Sequence, residues 1–152
     1  MEHVGTLLLE DMVDITDPCY DKDVWCRMTT NCQKGIYEGY VELSDEGDWG
    51  TRVKSLSIYK DGNIVPVEIM ERIGDICVDA GLAGFFNNKP DFSDSEWEKF
   101  CADIEIGKYW NLYDGIFSSS GYGDGCYNVF ANKERTAFTI VFLEEEDEDE
   151  DL

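Results

Sequence analysis

Three aspartates lie in tight-turn sequence next to proline or glycine: Asp17 before Pro18, Asp79 ahead of Gly81, and Asp124 between Gly123 and Gly125. Carboxylates on turns held by a rigid scaffold can act as an acid–base pair or hold a divalent cation. Against that chemistry stands a simpler role. Aspartate is a preferred turn residue because its side chain bonds nearby backbone N–H groups. Asp61-Gly62-Asn63 lacks the ligand ladder of an EF-hand loop.

Nucleophiles are present in Ser118, Ser119, Ser120 and six cysteines, but the only histidine is His3. A Ser–His or Cys–His relay would have to recruit that one residue, so no catalytic residue is assigned. Gly121-x-Gly123-x-Gly125 has neither the spacing of a dinucleotide fingerprint nor a following helix, and it lacks the Gly-Lys-Ser/Thr of a P-loop. A weak phosphate-binding nest is all it allows. The closest cysteine spacings, Cys19-x6-Cys26 and Cys26-x5-Cys32, do not make a zinc pair. All six cysteines are expected as free thiols, with no metal and no cofactor.

Charge narrows the partners. The 152 residues hold 34 acids and 12 bases, for a formal net charge of −22. Eight of the acids fall in the last nine residues, Glu144 to Leu152, and the preceding 143 residues still carry −14. Such a chain repels nucleic acid and anionic membrane, so the expected partner is a protein with a basic surface. Nucleic-acid mimicry, with carboxylates in the places of phosphates, is compatible with that charge, as is plain solubility. The start of the chain has no basic region, and the longest largely apolar stretch, Ala137 to Leu143, is strand-length. The expectation is a cytoplasmic protein without a membrane span.

The elements that must position these residues are mostly strands. Val4–Ile15 reads as a strand ending at the Asp17-Pro18 turn, and Cys19–Cys32 as an irregular packed loop with Trp25 among acids. Ile36–Leu43 and Arg52–Tyr59 read as strands, and Asp61-Gly62-Asn63 as a hairpin turn leading to a strand over Ile64–Met70. Ile76–Asp79 is a short strand. Ser93-Asp94-Ser95-Glu96 is a capping box, followed by Trp97, Phe100, Cys101 and Ile104 at helical spacing. Ile116–Ser120 and Gly125–Asn132 flank the glycine-rich turn, and Thr136–Leu143 is apolar on both parities, as a central strand buried on both faces would be. The expected fold is α+β, predominantly antiparallel β, as a sandwich or partly closed sheet with one short amphipathic helix. Residues 1–143 would form a single domain and 144–152 a disordered acidic tail.

Four ordered motifs carry a family resemblance: Asp17-Pro18-Cys19-Tyr20-Asp21 with Trp25-Cys26; Trp49-Gly50-x-Arg52-Val53; Ile76-x-Val78-Asp79-x-Gly81-x-Ala83-Gly84-x-Phe86; and Ser119-Ser120-Gly121-Tyr122-Gly123-Asp124-Gly125-x-Tyr127. Over residues 10 to 143 the chain resembles the DUF4241-like proteins, small bacterial and phage-associated proteins without an assigned function. The resemblance implies a compact β-rich domain in which the Asp-Pro-Cys-Tyr and Gly-Asp-Gly turns matter. It implies no reaction. Ala80, Leu82 and Asn87 stand where relatives carry more polar or charged residues, which tilts the reading toward binding.

The candidate ligand or interaction residues are therefore Asp17, Tyr20, Trp25, Asp79, Tyr122 and Asp124. The leading functional reading is a protein-binding module of phage or mobile-element character that engages a basic or nucleic-acid-binding host protein. A ligand- or cation-binding protein or enzyme using the turn carboxylates is the first alternative. An immunity protein that neutralises a basic toxin is the second.

Overall fold

The structure is a computed structural model, and it describes residues 1–21, 24 and 27–143. Trp25, Cys26 and the acidic segment 144–152 lie outside the described residues. Among the described residues there are eleven strands: β1 (Glu2–Leu9), β2 (Met12–Thr16), β3 (Met28–Asn31), β4 (Gly35–Asp45), β5 (Thr51–Lys60), β6 (Glu71–Val78), β7 (Leu82–Phe86), β8 (Tyr109–Leu112), β9 (Gly115–Ser119), β10 (Gly125–Ala131) and β11 (Ala137–Val141). One α-helix among the described residues, α1 (Asp94–Asp103), lies between β7 and β8.

The strands form two open antiparallel sheets. The first has the order β1-β4-β5-β11-β10-β6 and the second β3-β2-β7-β9-β8. Alternation places the core between them. Tyr37 and Val41 of β4, Leu56 and Ile58 of β5 and Phe138 and Ile140 of β11 meet Val13, Ile15, Phe85 and Ile116 of the second sheet in one cluster. Gly39 shares the inward parity of Tyr37 and Val41 because a Cβ there would lie 2.6 Å from the Ile116 side chain. The α+β, β-rich class holds, with sheets that do not close.

Both sheets are covered on their outer faces as well. On the second sheet, Phe86 and Phe117 stack with ring centroids 5.7 Å apart, and Phe100 of α1 stacks on Phe117 at 5.2 Å. Ser93 caps that helix, accepting from the Glu96 N–H while the Glu96 side chain accepts from the Ser93 N–H. Burying a ring such as Phe100 stabilises by roughly 1.5–3 kcal/mol, enough to dock a ten-residue helix that would be marginal alone. Cys101 is exposed, so the stripe that docks is Trp97, Phe100 and Ile104. On the first sheet, Tyr59, Met70 and Ala137 form a smaller cluster with Val65, Val67 and Phe130.

Four expectations need correction. Val4–Ile15 is two strands in different sheets, broken at Glu10-Asp11, where the exposed pair lets the chain cross over. The loop over Cys19–Cys32 ends in a strand, β3, paired with β2. Asp61 and Gly62 do form a turn, with φ of 55° and 73°, but no hairpin follows. Pro66 has no N–H for a ladder, so 64–70 lies across the first sheet, and β5 pairs with β11 instead. Finally, Cys77 and Cys126 are opposite one another on β6 and β10 and form a disulfide, so these two are not free thiols.

Candidate interaction site at the loop end

Asp17 follows β2 directly and is fully buried. A buried carboxylate must be matched by donors, and backbone N–H groups supply them. Its Oδ1 accepts from the Cys19 N–H at 2.9 Å, and its Oδ2 accepts from the N–H groups of Asp79 and Ala80 at 2.9 and 2.7 Å. Asp17 thus clasps the β6–β7 turn to the end of β2. Both oxygens are engaged, which removes it from the acid–base or cation chemistry its sequence allowed. Asp79 contributes its backbone to this clasp and exposes its side chain.

The clasped turn leads to the glycine-rich loop. Gly81, at φ 69°, turns the chain so that its carbonyl accepts from the Ser120 N–H at 3.0 Å. Ser120 Oγ in turn donates to the Gly123 carbonyl at 2.7 Å, and the Tyr127 hydroxyl also donates there at 2.5 Å. Gly121 has φ 61°, a conformation that costs an L side chain about 1 kcal/mol or more. These contacts fix a loop that presents Tyr122 outward. Asp124 is on the same loop and exposed.

Tyr122 then meets the β4–β5 turn. Its hydroxyl donates to Glu46 Oε1 at 2.8 Å, and the Arg52 guanidinium lies over its ring, 4.9 Å from the centroid. Arg52 Nε donates to the Trp49 carbonyl at 3.0 Å. Hydrogen bonds from Ser44 and then Tyr122 hold the Glu46 carboxyl below the usual carboxylate range, so it is ionised at neutral pH. Trp49 is 70% exposed and Tyr122 51%. Trp, Arg and Tyr are the residue types that dominate protein-binding energetics, and here Tyr122 is held by Glu46 and Arg52 while Trp49 is held through its backbone carbonyl.

Tyr20 sits at the other side of Asp17, where a buried polar cluster closes the β2–β3 loop. Its carbonyl accepts from Arg27 Nη1 at 3.2 Å and from Lys89 Nζ at 3.0 Å. Asp14 accepts from Thr29 Oγ1, from the Lys89 N–H and from Arg27 Nη2, at 2.6, 2.8 and 3.0 Å. Burial, and then Arg27, lower the Lys89 ammonium from its ordinary value. Burial, reinforced by Asp17, pushes the Cys19 thiol up to about 12, which makes it a poor nucleophile at neutral pH.

The structure thus brings Asp17, Asp79, Tyr122 and Asp124 to one end of the two sheets, with Tyr20 behind the clasp. Trp25 lies outside the described residues. Arg52 and Glu46 were not singled out as site residues from sequence. Arg52 lies within a motif that also holds Trp49, but nothing local shows that it reaches a tyrosine 70 positions later. No family model, curated protein or solved structure matches the chain.

Proposed function

We propose that the protein is a cytoplasmic protein-binding module of the phage-associated character its family resemblance implies. In this reading the loop end presents Trp49, Arg52 and Tyr122 to a partner with a basic surface. The observation that supports it most is the pair of exposed aromatic residues, Tyr122 held by Glu46 and Arg52, and Trp49 held through its backbone carbonyl by Arg52. The net charge of −22 supplies long-range attraction for basic surfaces, and the rings supply short-range contact. A reading as an enzyme loses ground because Asp17 is committed to backbone and Cys19 is held as a neutral thiol.

The test is capture from bacterial lysate by immobilised protein, comparing the wild type with Trp49→Ala/Tyr122→Ala and with Asp124→Asn. The double variant should lose the captured species, while Asp124→Asn should retain it. Equal capture by all three would remove the loop end as the binding surface.

A further inference from the structure

A groove of about 550 Å³ runs along the outer face of the first sheet; it shares no lining residue with the loop-end site and is independent of the binding-module reading. Its floor is built by the outward parity of β5, β11 and β10: Ser57, Tyr59, Thr139, Val141 and Phe130. Its wall is the 64–68 segment, whose Pro66 keeps it out of the sheet. The volume is in the range of small-molecule sites, which run to roughly 300–1,000 Å³.

The floor carries one unusual polar feature. Ser57 and Thr139 face each other across β5 and β11 with their hydroxyl oxygens 2.7 Å apart. Both are buried, at 4% and 3% exposure, although both line the groove. Two hydroxyls carry two protons, and the contact between them uses one. The second O–H has no acceptor among the described residues. An occupant of the groove with an acceptor would take up that donor.

The rim selects against charge. Glu42 and Glu68 stand at the groove with one basic side chain, Lys54, whose Nζ is 3.7 Å from Glu42, and Met1 is also in the lining. The surrounding field is strongly negative, so a carboxylate or phosphate ligand would be repelled. We infer that the groove is a binding site for a neutral, largely apolar small molecule bearing one carbonyl-type acceptor, which lies against Tyr59, Phe130 and Val141 and accepts a hydrogen bond from the Ser57–Thr139 pair.

Prodan, a neutral naphthyl ketone dye whose emission reports both apolar surroundings and hydrogen bonding at its carbonyl, is the probe. The wild type should bind it saturably and one to one. Ser57→Ala/Thr139→Val, which removes both hydroxyls of the pair, should weaken binding by about five- to tenfold, the size of one neutral hydrogen bond. Ser55→Trp, which fills the groove from its own floor, should abolish binding, with far-ultraviolet circular dichroism confirming its fold. Trp49→Ala, at the loop end, should bind as the wild type does. Absence of saturable binding, or binding that survives Ser55→Trp, overturns the site. Binding that Ser57→Ala/Thr139→Val leaves unchanged overturns the hydrogen-bond assignment. Binding seen only after truncation beyond Leu143 overturns the small-molecule occupant in favour of the chain's own acidic segment.

Discussion

A carboxylate that accepts three backbone N–H groups is a structural part, and its removal has a definite signature. Asp17→Ala leaves the N–H groups of Cys19, Asp79 and Ala80 facing a buried void, and the expected loss is about 3 kcal/mol in urea unfolding. Asp17→Asn should lose less, since one amide oxygen can still accept. Asp79→Asn and Asp124→Asn, with exposed side chains, should stay within about 0.5 kcal/mol of the wild type. The sequence showed that all three are turn residues, but it could not rank them, because burial is decided by which strands flank each turn. Cys19 gives a second residue-scale outcome. The unfolded thiol ionises near 9.0 and the folded one near 12, so between these values the folded state holds more protons than the unfolded. Stability from this group is complete below pH 9 and is lost as pH rises toward 12. Melting temperatures recorded from pH 7 to about 10.5 should fall less steeply in Cys19→Ala than in the wild type. A residual slope remains from Cys32, which burial pushes up to about 11. Identical slopes in the two proteins would show that Cys19 is not desolvated as described.

At the scale of elements, what could be read from the chain was what local chemistry decides. The helix was legible because a capping box and an apolar spacing coincide over one segment, and β11 because both of its parities are apolar. Phe100→Ala should therefore cost about 3–5 kcal/mol, while Cys101→Ser, one residue along and exposed, should cost almost nothing. β8 was not legible: Tyr109–Leu112 is four residues between Gly107 and Asp114 and too short to alternate. The segment 64–70 has strand composition, but it covers a sheet instead of joining one, a distinction made by Pro66 and by tertiary pairing. The pairing of Cys77 with Cys126 likewise follows from register between strands 49 residues apart in sequence, which no local spacing encodes. Thiol titration in denaturant should detect two further thiols after treatment with a dithiol reductant. No change on reduction would mean that β6 and β10 are not cross-linked.

For the whole molecule, charge was legible from the first count, while the exposed residues that the proposed binding role would use were not. Trp49 and Tyr122 come from different turns, and only the tertiary fold brings Arg52 of the first turn over the ring of the second. The two contributions to binding are separable by salt. The field of a −22 chain acts over a Debye length, which falls from about 10 Å at 0.1 M salt to about 3 Å at 1 M, whereas ring contacts are nearly indifferent to ionic strength. Poly-lysine is a suitable cationic probe, because it offers charge without a shaped surface. Its association with the wild type should weaken steeply between those two salt concentrations, and duplex DNA should not bind at either. Removal of residues 144–152 takes away eight acids and should flatten the salt dependence. Trp49→Ala changes no charge, so it should leave the poly-lysine curve in place while weakening capture of a folded partner at every salt concentration. A Trp49→Ala protein with a shifted poly-lysine curve, or DNA binding at micromolar concentration, would mean that charge and aromatic contact do not act as the independent terms argued for this surface.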